Sequence, residues 1–194
     1  MKEIDDMTTI IIIVVLAVII VAYIGIYNGL VKMRTNAQES WSQIDVQLQR
    51  RNDLIPNLVQ TVKGYSNYEA KTLEKVTALR QQISELPADA HQEKMAVSDK
   101  LTGALNSLYA VAENYPDLKA SSEFSKLMEE LSNTENKIAY SRQLYNSTVA
   151  AFDARIQTFP ANIVAGIHHF TKLDYLQVPE EAKANPKVDF SDLN

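Results

Sequence analysis

Residues 10–26 read IIIIVVLAVIIVAYIGI, a run without a single charged side chain. With Thr8, Thr9 and Tyr27 it makes about 20 residues, which at ~1.5 Å each match a hydrocarbon core of ~30 Å. A helix buried in a soluble core is usually shorter and shows a polar face. A cleaved secretion signal would carry a basic start and a small-x-small cleavage pattern, and neither is present. The run therefore predicts one transmembrane helix over residues 8–27, behind a short N-terminal segment, 1–7.

Charge sets the expected orientation. Lys2, Glu3, Asp5 and Asp6 precede the run, and Lys32, Arg34, Arg50 and Arg51 follow it. Basic residues favour the cytoplasmic side, so the expectation is N-terminus out and the C-terminal bulk in the cytoplasm. Tyr23 and Tyr27 fit an aromatic belt at the membrane surface, and Lys32 and Arg34 fit contacts with lipid headgroups.

Beyond the membrane run the chain leans to helix, with five glycines and six prolines in 194 residues. A net charge of −5 gives no concentrated basic face, which argues against nucleic acid as a partner. Without cysteine there is no disulfide, thiolate nucleophile or cysteine-held metal.

Residues 30–83 repeat every seven positions. One row is Trp41, Leu48, Ile55, Val62, Glu69, Val76 and Ile83; the second is Ile44, Arg51, Leu58, Tyr65, Thr72 and Leu79. Such a seam predicts helix packed on helix. Pro56 interrupts it, and Asp53 offers an N-cap for a break at Asn52–Asp53. Because the phase does not slip across Pro56, the expectation is one long helix, kinked there. A turn at Leu86-Pro87 leads to a second helix from about Asp89 to Glu113, with Leu101, Leu105, Leu108 and Ala112 on one face. A third starts near Ser121 or Ser122 and ends near Thr158. Its seam is Phe124, Leu131, Ile138, Tyr145, Phe152 and Phe159, with Met128, Glu135, Arg142, Val149 and Ile156 as the companion row. A short apolar turn of helix is expected over residues 162–168, and residues 171–194 read as a loosely held tail. The fold class is all-α: a transmembrane helix continuing into a long antiparallel helical bundle over residues 28–170.

Several blocks carry a family resemblance. They are Tyr27-Asn28, WSQIDVQL at residues 41–48, Arg50-Arg51, DLIPNLV at residues 53–59, and Val62-Lys63-Gly64-Tyr65. Further on come Tyr115-Pro116, Leu118-Lys119-Ala120, Thr134-Glu135-Asn136, Ile138-Ala139, Arg142, Tyr145-Asn146, Val149 and Phe159-Pro160. Over nearly its whole length the chain resembles the LemA family of bacterial membrane-anchored helical proteins. It departs from the usual pattern at Tyr68-Glu69, Phe152-Asp153 and His168-His169-Phe170. The resemblance implies a membrane-anchored helical bundle, and the expected location is the bacterial cytoplasmic (inner) membrane. It also implies a connection with organising internal membranes or with membrane-protein quality control.

Charges inside apolar seams need partners, because a buried unpaired charge costs several kcal/mol. Arg51, Glu69, Glu135 and Arg142 are in that position, and cross-helix pairs such as Glu69–Arg142 or Arg51–Glu135 are expected to fix register. Acid–base catalysis by Glu69 and Glu135 is the competing reading, and it would need a concave pocket. Of the histidines, His91 stands apart, while His168 and His169 point about 100° from each other on a helix and do not suit one metal. No phosphate loop, nucleophile elbow or His-Glu-x-x-His is present. The expectation is no enzyme, no cofactor, no metal and no small-molecule substrate. Trp41 is expected in the core. Arg50-Arg51 and Lys63 stand too far from the membrane run to meet headgroups. The apolar stretch 159–167 either caps the core or joins subunits. The expected partners are the lipid bilayer and either further copies of the chain or other membrane proteins. Two roles fit: a self-associating scaffold, or an adaptor for a membrane protease or sensor.

Overall fold

The computed structural model describes residues 2–65 and 70–177. All secondary structure among the described residues is helical. The order is α1 (Lys2–Tyr65), α2 (Ala70–Glu85), α3 (His91–Ala112), α4 (Pro116–Lys119), α5 (Ser122–Gln157) and α6 (Ala161–Ile167). Two compact units divide it: Met1–Gln43 with Ser141–Tyr175, and a second built mainly from Ile44–Tyr140.

In the first unit, α1 carries the apolar run, whose side chains are exposed through residue 22, as a membrane-facing surface requires. Leu30 then enters a core with Phe152, Ile156, Ala161, Val164 and Ala165. Trp41 meets Tyr145 edge-on at 6.2 Å. Moving from Leu30 to Trp41 on α1 means moving back from Ile156 to Tyr145 on α5, so the two helices are antiparallel. Phe159 leaves the expected seam and is exposed. The reason is that α5 ends at Gln157, so the heptad phase no longer holds two residues later. The inner side of α6 caps this core, which fits one of the two readings of residues 159–167.

The second unit packs the distal part of α1 with α2, α3, α4 and the first part of α5. Ile55, Leu58, Val62, Val76, Ile83, Leu101, Leu105, Leu108, Leu118, Phe124 and Leu131 form one core. The single helix expected over residues 30–83 is not what the chain does. α1 ends at Tyr65 and α2 begins at Ala70, and Asn52 on α1 faces both Arg80 and Ser84, so α2 runs back along α1. Gly64 costs a helix about 1 kcal/mol relative to alanine. The repeat keeps its phase because Val62, Val76 and Ile83 enter the same core from opposite sides of the reversal. Glu69, and with it the expected Glu69–Arg142 pair, lies outside the described residues.

At Pro56 the helix continues rather than breaking. Proline has no N–H, so the carbonyl of Asn52, four residues earlier, loses its helical donor. Arg80 Nε supplies the missing hydrogen bond at 2.8 Å. The Asn52 side chain donates to Ser84 Oγ at 3.2 Å, adding a second link from the same residue to α2. Asp53 does not cap a new helix; it accepts from Gln49 Nε2 at 2.9 Å on the outer surface.

α5 begins where sequence places it, with Ser121 Oγ accepting the amide of Phe124 at 3.3 Å. The tail expected over residues 171–194 falls outside the described residues from 178 onward.

Candidate functional site

The polar centre of the second unit is Arg51. Its side chain is 2% exposed, against 36% for Glu135, and the two meet through Nη1 and Oε2 at 2.9 Å. Nη1 also donates to Ser98 Oγ at 3.1 Å, and Nη2 donates to Thr102 Oγ1 at 2.7 Å. The Thr102 hydroxyl in turn lies 3.1 Å from Glu135 Oε2 and 3.1 Å from the Ser98 carbonyl. Of the two cross-helix pairs expected from sequence, this one forms. Ser98 and Thr102 were not singled out beforehand. Their signal was the i, i+4 placement beside Leu101 and Leu105, which turns two hydroxyls toward the core.

A groove of about 580 Å³ opens over this node. Leu105, Tyr109, Phe124 and Met128 give it apolar sides, Arg51 and Glu135 line it, and the Lys119–Glu113 ion pair stands among its lining residues. Sequence reasoning did not foresee this concavity. The short α4, opened by Pro116, lies between the end of α3 and the start of α5, and both of these line the groove. Within the groove the Glu135 carboxylate is already engaged by a guanidinium and a hydroxyl. Such an arrangement fixes register between the helices.

Elsewhere in the unit, Lys94 Nζ reaches Asp45 Oδ1 at 2.9 Å. The neighbouring His91 has its pKa lowered, first by burial and then by the Lys94 charge. A lowered folded pKa means the unfolded chain binds the proton more readily, so this contribution is present above the free-histidine value of about 6.5 and is lost as pH falls through the folded value. Thermal melts below pH 6.5 are therefore expected to lose stability, and His91→Gln is expected to flatten that slope while leaving the melting point near pH 8 unchanged. Among the described residues no three His, Asp or Glu side chains converge to hold a metal ion.

The first unit carries an aromatic collar at the end of the apolar run. Tyr23 Oη and His168 Nε2 are 2.7 Å apart, and the His168 ring lies 4.5 Å from that of Tyr27. Phe170 meets Tyr27 and Phe152 edge-on, each at 6.2 Å. Asp153 Oδ1 accepts the amide of Leu173 at 3.1 Å, and Tyr145 Oη donates to the carbonyl of Asp174 at 3.2 Å. These bonds tie the stretch after α6 back to α5. Burial, then the charges of Asp174 and Asp153, push the Tyr145 hydroxyl pKa up, so it stays protonated as a donor. Tyr23 and Tyr27, the residues expected in an aromatic belt, are half-buried and contact His168 and Phe170. The sequence signal for the contact was the His168-His169-Phe170 departure.

Comparison with known proteins adds three findings. The description of the LemA family matches residues 40–190. Protein LemA of Metamycoplasma hominis is 31% identical over 173 residues, covering 88% of this chain and 77% of that protein. Magnetosome protein MamQ of Magnetospirillum gryphiswaldense is 24% identical over 77% of this chain, and Magnetosome protein MamQ 2 of Paramagnetospirillum magneticum is 28% identical over 78%. The chain spans 64% of the length of each of these two MamQ proteins.

Proposed function

Because the chain belongs to the LemA family, we propose that it is a non-enzymatic, single-pass membrane-anchored scaffold that gathers membrane partners or further copies of itself through helix–helix contacts. The observation that carries this reading is α1. One helix holds the exposed apolar run and then contributes Ile55, Leu58 and Val62 to a buried bundle core, so anchor and bundle are one element. The relatives named as magnetosome proteins support a part in an assembly rather than in a reaction. Lys32 and Arg34, both exposed, support an arrangement in the bacterial inner membrane with the N-terminus outside and the bundle in the cytoplasm.

The groove beside Arg51 and Glu135 favours a second reading, an adaptor that receives part of a membrane protease or sensor. Lysine cross-linking of spheroplasts, read by mass spectrometry, separates these proposals. A membrane-permeant reagent should link Lys100 and Lys126, and an impermeant one should leave both unmodified. Links dominated by copies of this chain support the scaffold, and links dominated by one other membrane protein support the adaptor. Modification of Lys126 by the impermeant reagent would overturn the orientation.

A further inference from the structure

α6 has two faces. Ala161, Val164 and Ala165 are buried against Leu30, Phe152 and Ile156. On the other side Ile163 is 54% exposed and Ile167 is 58% exposed, and Phe159, in the turn ahead of α6, is 78% exposed. Residues 159–170 contain no Asp, Glu, Lys or Arg. An apolar, uncharged surface of this kind is unfavourable in water, at about 25 cal/mol for each Å².

Where α6 is docked decides what covers it. Its buried face shares one core with Leu30, and Tyr23, Ile26 and Tyr27, in the last turns of the apolar run and just beyond it, pack against that core. Its C-terminal end is fixed by the His168–Tyr23 hydrogen bond, and Tyr23 lies within residues 10–26. Ile167 adjoins His168, whose partner Tyr23 lies within one helical turn of the exposed Ile20 and Ile24 on α1. Any bilayer that takes up residues 10–26 therefore brings its boundary to α6.

We propose that α6 is an interfacial helix, its Ile163 and Ile167 face, with Phe159 in the turn ahead of it, seated in the lipid bilayer at the boundary between acyl chains and headgroups. This rests on the reading of α1 as the membrane anchor. The apolar surface of the run continues onto the α6 face, and an interfacial helix buries such a face about 5–10 Å into the boundary. Lys32 and Arg34, exposed on α1 beyond the contact, are placed to meet anionic headgroups. α6 would then set the depth and rotation of α1 as a second contact with the same membrane.

The chain has no cysteine, so single nitroxide labels can be placed without removing native residues. Full-length protein carrying Ile163→Cys, Ile167→Cys, Ile19→Cys or Gln49→Cys would be spin-labelled and reconstituted in phosphatidylcholine–phosphatidylglycerol vesicles. All four side chains are exposed, so the fold is expected to survive, and far-UV circular dichroism checks this. The ratio of collision with oxygen, which concentrates in lipid, to collision with a water-soluble nickel chelate is expected to be several-fold higher at Ile163 and Ile167 than at Gln49, with Ile19 higher still. A water-like ratio at Ile163 and Ile167 with a lipid-like ratio at Ile19 overturns the interfacial helix and leaves the anchor standing. A water-like ratio at Ile19 overturns both. Low collision with both reagents at Ile163, together with dipolar broadening between labels, overturns the proposal in favour of a second copy on that face.

Discussion

Glu135→Ala is expected to destabilise the protein by about 3 kcal/mol, lowering the melting temperature by about 6–12 °C for a chain of this size. The cost arises at Arg51, which remains charged and almost fully buried after its carboxylate partner is gone. It falls at the low end of the range for breaking buried pairs because Ser98 and Thr102 continue to accept two of the guanidinium's hydrogen bonds. Arg51→Met should cost less. The side chain it leaves behind, Glu135, is 36% exposed and can be rehydrated, whereas Arg51 at 2% cannot. The check is a set of melts on full-length protein in detergent, followed by far-UV circular dichroism. A shift below about 2 °C for Glu135→Ala would mean that the two hydroxyls alone satisfy Arg51, and the register role assigned to the pair would fail.

Arg80→Ala is expected to cost about 1–3 kcal/mol, the penalty for leaving a half-buried carbonyl without a donor. Its size should depend on residue 56. In wild type the Asn52 carbonyl has no helical N–H because Pro56 cannot provide one, and Arg80 is its donor. In a Pro56→Ala background the amide returns, the i to i−4 bond can form, and Arg80→Ala should cost well under half as much. A double-mutant cycle on these two positions measures the difference directly. Equal costs in the two backgrounds would show that Arg80 acts through packing or charge and not through the orphaned carbonyl. Pro56→Ala alone should raise stability, because alanine is favoured over proline inside a helix by about 3 kcal/mol, part of which Arg80 already offsets.

The apolar run, the helical class and most of the core were legible in sequence because each depends on short-range periodicity. Phe124, Leu131, Ile138, Tyr145 and Phe152 are all buried, as their spacing requires. Periodicity failed at reversals. The same seven-residue rows run through α1 and α2, and a phase that survives a turn looks no different from a phase that survives a kink. Composition held the missing hint, in Gly64, but the apolar rows outweighed it. Arg51–Glu135 was legible because charges in a seam demand partners. The contribution of Arg80 was not, since its partner is a backbone carbonyl, which has no letter in the sequence. Likewise the groove is lined by the end of α3 and the start of α5 around α4, a four-residue helix too short to leave a periodic trace.

The link from Arg80 to Asn52 has a consequence for biosynthesis. When a ribosome has delivered α1 as far as Tyr65, the helix around Pro56 still lacks the donor that completes it. That donor arrives only with Arg80, and at ~5–20 residues per second the interval is roughly one to three seconds. Through that interval the anchor can already hold the nascent chain at the membrane while the distal part of α1 waits, incomplete, for the following helix. The helix that looks most self-sufficient in the finished protein is finished by a later part of the chain.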